Sequence, residues 1–124
     1  MNRGQRGSIV LLCLLVLWTT LVAAPANADT RRFELVIRER EVAGGQRTLR
    51  VNQGDLVELT FTSDEAGELH LHGYDIAFEV GRAEPTVITF EARATGRFPV
   101  TSHGFAGAAG HDHAALLYIE VHPD

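Results

Sequence analysis

Between Phe33 and Arg38 the chain alternates: Phe33, Leu35 and Ile37 are separated by Glu34, Val36 and Arg38. A period of two sends successive side chains to opposite faces, so this segment reads as a strand with one buried face. The alternation is clearest where Val57, Leu59 and Phe61 interleave with Glu58, Thr60 and Thr62, and it recurs from Thr86 to Phe90. Segments at Thr48–Val51, Arg97–Thr101 and Ala115–Val121, and a longer extended stretch from Leu69 to Val80 with an irregularity at Gly73, bring the expected total to about seven strands. Turn chemistry separates them at Gly44-Gly45, Asn52-Gln53-Gly54-Asp55, Asp64-Glu65-Ala66-Gly67, Gly96 and Gly104–Gly110. No stretch sustains a helical period. Short strands spaced roughly 8–12 residues apart predict an all-β sandwich or barrel. Phe33, Val57, Leu59, Phe61, Phe90, Phe98, Leu117 and Ile119 are its expected core.

The N-terminus follows a different rule. Arg3 and Arg6 precede an apolar run from Ser8 to Val22, and Ala26-Asn27-Ala28 supplies a small-x-small motif. The run is short for a membrane span, and the pattern is that of a secretory leader. Residues 1–28 are therefore expected to be a signal peptide cleaved between Ala28 and Asp29. Residues 29–124 are then one exported domain, periplasmic or secreted, with no membrane span. Cys13 lies inside the apolar run rather than after it, which argues against lipidation. Removing Arg3 and Arg6 takes the net charge from −5 to −7. With an acidic balance and no lysine, the chain is not a nucleic-acid binder.

Composition sharpens this. The only Cys, Met and Trp are Cys13, Met1 and Trp18, all in the leader, whereas all 6 His lie beyond it. A disulfide scaffold, a Cys-based zinc or iron–sulfur site and a Cys nucleophile are thereby excluded from the exported domain. The histidines fall at His70-Leu71-His72, at His103, at His111-Asp112-His113 and at His122. On a strand, His70 and His72 project to one face while Leu69 and Leu71 face the other. His103 closes one expected strand, and His111 and His113 precede the next. If the intervening Gly/Ala loop lies beside the His70 strand, His70, His72, His103, His111 and His113 converge as a metal site. Neutral imidazole suits Cu, Zn, Ni and Fe(II), and without thiolate the affinity order favours Cu(II), with zinc second choice. Several imidazoles can also hold Cu(I). Asp64, Glu65 and Glu68 offer a carboxylate–His alternative, more simply read as a solvated loop. Ser102 and His103 are adjacent on a strand, so they point apart and form no nucleophile–base pair. No catalytic group is assigned.

Several motifs occur in an order that resembles the cupredoxins, the small copper-binding β-sandwich family that includes plastocyanin. Val51-Asn52-Gln53-Gly54-Asp55-Leu56-Val57 is similar to the family's V-x-x-G-D-x-V segment. Ala66-Gly67-Glu68-Leu69-His70 is similar to its A-G-x-x-H segment, which carries the first copper His. Gly96-Arg97-Phe98-Pro99-Val100-Thr101-Ser102 resembles its G-x-Y-x-F-x-C strand, and His111 to Val121 sits where the second His and the axial Met belong. Glu68 to Asp75 looks more like the cupredoxin-like domains of periplasmic metal-uptake proteins. The resemblance implies a Greek-key sandwich over 29–124. It also implies a copper site on His70 and on His111 or His113. Ser102 replaces the Cys, and no Met follows, so the thiolate of a blue copper centre is missing. The expectation is an exported copper-binding protein for storage, buffering or delivery, not electron transfer. Its partner would be a copper-receiving protein or a membrane metal transporter. The alternative is a metal-free cupredoxin-like interaction module or accessory of a metal-uptake system. A His-ligated metalloenzyme ranks lowest.

Overall fold

The computed structural model describes residues 28–105 and 115–123. The strands within them are β1 (Thr30–Arg38), β2 (Glu41–Val42), β3 (Thr48–Asn52), β4 (Leu56–Ser63), β5 (Gly67–Leu71), β6 (Ile76–Val80), β7 (Thr86–Glu91), β8 (Gly96–His103) and β9 (Ala115–His122). A 3-10 turn at Ala43–Gly45 is the only helical element among the described residues, and no helix there is long and apolar enough to cross a membrane. Four strands form one sheet in the order β2-β1-β4-β7, and five form the other in the order β3-β9-β8-β5-β6. The β1–β4 and β3–β9 pairings are parallel and the rest antiparallel.

Period-two alternation explains the core. Leu35 and Ile37 of β1 and Val57, Leu59 and Phe61 of β4 are buried against Leu49, Leu69, Leu71, Val100, Leu117 and Ile119 of the opposite sheet. Phe33 and Phe98 are half-buried, packed against this cluster rather than within it. Nine strands replace the expected seven or so for two local reasons. Glu41–Val42 adds a two-residue strand against the end of β1. The stretch from Leu69 to Val80 is a hairpin whose last pair is Leu71↔Ile76. Gly73 (φ 84°) and Asp75 (φ 55°) take the left-handed conformations that reverse the chain there, which Gly and Asp adopt more readily than most residues.

The Asn52–Asp55 turn is held from inside. Asp55 is buried, and its carboxylate accepts the Asn52 N–H at 2.8 Å and the Arg31 Nε–H at 3.3 Å. Asp55→Ala leaves these donors without their acceptor and is expected to lower stability by about 1–3 kcal/mol in urea unfolding. Arg31→Ala is expected to cost less, because that guanidinium is 45% exposed and keeps water.

For function, the relevant surface is the outer face of the five-stranded sheet. The Cα partners across β5 and β8 are Glu68↔His103, Leu69↔Ser102, His70↔Thr101 and Leu71↔Val100. Partners share a face. Leu69, Leu71 and Val100 fill the core, so His70, Thr101 and His103 point outward from the two strands flanked on both sides by others.

Candidate metal centre

The H-x-H spacing acts as expected. Leu69 and Leu71 are fully buried, and His70 and His72 project together from the other face with ring centroids 4.2 Å apart. His103 joins them from β8, its ring centroid 6.2 Å from that of His70 and 6.4 Å from that of His72. Each of the three rings offers one nitrogen, and these nitrogens all lie within 4.8 Å of one another. Three ligands of a tetrahedral ion with metal–nitrogen bonds of about 2.0–2.1 Å are about 3.3 Å apart, so inward shifts of up to about 0.7–0.9 Å per ring would complete coordination.

The polar accounting favours a cation. His70 Nε2 is buried and makes no hydrogen bond. The Asp75 carboxylate is 3.3 Å from it, but outside hydrogen-bond geometry and fully exposed. An unpaired buried ring nitrogen is costly in a native fold and is what a metal ion would satisfy. His72 Nε2 lies 2.7 Å from the Thr101 hydroxyl, and His103 Nε2 lies 3.4 Å from it. On the same face Glu68 stands across from His103 on one side and across from Glu79 on the other. Directly opposed carboxylates repel, and a nearby cation relieves that repulsion.

Other expected participants are placed elsewhere. Asp64 accepts the backbone N–H of Glu39, and Glu65 pairs with Arg40, which ties both to the β1–β2 turn. Ser102 lies opposite buried Leu69 and shares its face, whereas His70 and His103 occupy the other face. The position of the missing thiolate and the histidine cluster are thus on opposite sides of one sheet. His122 ends β9, 3.7 Å from Glu120, and is not in the cluster. His111 and His113 lie outside the described residues. Thr101 went unremarked in the sequence pattern. Its place two residues before His103 put it on the same face, but only the β5–β8 register brings it beside His72.

At the level of sequence, no family model and no curated protein matches the chain. Solved structures do. A chain of a heme-copper terminal oxidase dimer superposes with a TM-score of 0.61 at 22% identity, over 73% of this chain and 64% of its own. This chain therefore spans less than two thirds of that oxidase chain. A copper binding protein in its apo form gives 0.56 at 9% identity, covering 79% of this chain and 92% of that one. A multicopper oxidase gives 0.55 at 19% identity, over 76% of this chain and 42% of its own. Taken with the two facing sheets and their order, these likenesses show that the chain has a cupredoxin-like β-sandwich fold.

Proposed function

We propose that this is an exported copper-binding protein, holding its metal through imidazole nitrogen for storage, buffering or delivery. The observation that carries the reading is the set of three imidazoles, His70 on β5, His72 in the turn just after it and His103 on β8, with His70 Nε2 buried and making no hydrogen bond. Copper is favoured over zinc by the affinity order for imidazole ligands. The copper proteins among the structural likenesses point the same way. When bound, copper would supply a one-electron redox centre. The chain's own residues present nitrogen to it, hold two of the rings on central strands and the third in the adjoining turn, and place the Asp75 carboxylate beside His70.

A blue copper role does not fit the donor set. Beyond Ala28 the sequence contains neither Cys nor Met. The protein is read as a carrier rather than an enzyme. Copper would pass to an exported acceptor or a membrane transporter, and export itself rests on the leader pattern at residues 1–28. His111 and His113 are candidates for further ligands.

Titration with Cu(II) and Zn(II), followed by equilibrium dialysis and electron paramagnetic resonance, tests the reading. The expected result is one copper per chain, bound more tightly than zinc. The spectrum should show the large parallel hyperfine splitting of nitrogen ligation, with no intense blue colour. No copper retained at neutral pH, or a small splitting with strong visible absorption, overturns it.

A further inference from the structure

Thr101 stands at the centre of the histidine face. It is 6% exposed, opposite His70 in the β5–β8 register and two residues before His103 on β8. Its Oγ1 lies 2.7 Å from His72 Nε2, within the hydrogen-bond range, and 3.4 Å from His103 Nε2. The backbone pins His72, since its N–H donates to the Pro99 carbonyl at 3.0 Å. A β-branched side chain on a strand has little rotational freedom, so burial fixes the hydroxyl oxygen where it stands.

We propose that Thr101 is a positioning residue of the copper site. Its hydroxyl accepts the Nε2–H of His72, orients that ring, and leaves Nδ1 of His72 as the nitrogen presented to the metal. The inference rests on the copper reading above and adds to it the nitrogen used and the group that selects it. A neutral imidazole carries one N–H and one lone pair. Engaging Nε2 as the donor leaves the lone pair on Nδ1. Metal-binding histidines generally donate their other N–H to a fixed oxygen, which sets the tautomer and raises ligand basicity. The hydroxyl keeps its own proton to donate, and His103 Nε2 lies on its other side. A donation to that nitrogen would occupy the lone pair His103 needs for the metal, so the hydroxyl selects the presented nitrogen of His72 alone.

The test uses the wild-type protein, Thr101→Val and Thr101→Ser. Valine keeps the shape and removes the hydroxyl, and serine keeps the hydroxyl. Copper affinity is expected to fall about 10–100-fold in Thr101→Val, the range typical of losing such an outer partner. Thr101→Ser should restore most of it. The metal-free Thr101→Val protein should unfold at a somewhat lower urea midpoint, through the loss of one part-buried hydrogen bond, yet stay folded in the dialysis buffer, so the ring-nitrogen resonances rather than stability separate positioning from a structural role. In the metal-free wild type, imidazole nitrogen resonances should show His72 protonated at Nε2, with that proton slow to exchange. In Thr101→Val the protection should vanish. A His72 ring protonated at Nδ1, or a Thr101→Val variant that binds copper like the wild type, overturns the proposal. A wild type that binds no copper defeats the copper reading first and the proposal with it, so the two failures are distinguishable.

Discussion

His70→Leu is expected to remove copper binding and, at the same time, to leave the metal-free fold slightly more stable. The first effect follows from ligand count. His70 supplies one of three clustered imidazoles. Losing it should weaken copper binding by more than about 100-fold, beyond what the outer partners of ligands usually contribute. The second effect comes from the same atom. His70 Nε2 is buried without a hydrogen bond, and an unmade buried hydrogen bond costs about 1–3 kcal/mol. The side chain as a whole is 25% exposed, so relief at the low end of that range, about 1 kcal/mol, is the expected gain. Asp75 does not offset it, because its carboxylate is fully exposed and competes with water. Equilibrium dialysis against copper and urea unfolding of the metal-free variant read the two effects separately. Binding retained at the wild-type level would remove His70 from the site. Marked destabilisation would make it a packed residue of the fold. Opposite signs for ligand affinity and intrinsic stability are the signature of a residue kept for function.

Much of this site was legible in the chain, because strand parity is a local property. The H-x-H spacing alone set Leu69 and Leu71 into the core and His70 and His72 outside it. The alternation at Val57, Leu59 and Phe61 similarly fixed the buried face of β4. Parity also separated Ser102 from His103. What it cannot give is which strand lies beside which. That His103 sits beside His70 and His72 depends on the β5–β8 register, a pairing across some thirty residues of chain. The same register brings Thr101 into hydrogen-bond range of His72, although no motif marks it. The hairpin at His72–Asp75 was half-visible. Gly73 signalled an irregularity, but the apolar run on either side hid a full reversal. Phe33 and Phe98 show a further limit: alternation gives the face a residue takes, not how completely the opposite sheet covers it.

Gly73→Ala is expected to produce the largest loss of stability among single methyl additions at the glycines named here. Two costs combine. Gly73 has φ 84°, a conformation that disfavours L side chains by about 1–2 kcal/mol. An added Cβ would also lie 2.4 Å from Phe98 Cδ1 and 2.8 Å from Phe98 Cε1. Half-buried Phe98 can yield only by giving up its aromatic contacts. Its ring meets Tyr74 edge-on at 4.9 Å, and Tyr74 packs on Phe90 at 4.8 Å. The Tyr74 hydroxyl also donates to the Ala94 carbonyl at 3.3 Å. Overpacking such a cluster costs about 1–3 kcal/mol, so the combined penalty is about 2–5 kcal/mol. Gly44→Ala provides the control. Gly44 has φ 80° but nothing within 4 Å of an added Cβ, so it should lose only the conformational part, about 1–2 kcal/mol. Urea unfolding of the two variants isolates the Phe98 contact as their difference. Equal losses would mean that the aromatic cluster is slack. The consequence for function follows from the sequence, since Gly73 directly follows His72. A turn strained at Gly73 displaces the ring that Thr101 holds. Gly73→Ala should therefore weaken copper binding even in conditions where the domain remains folded, whereas Gly44→Ala should leave it unchanged.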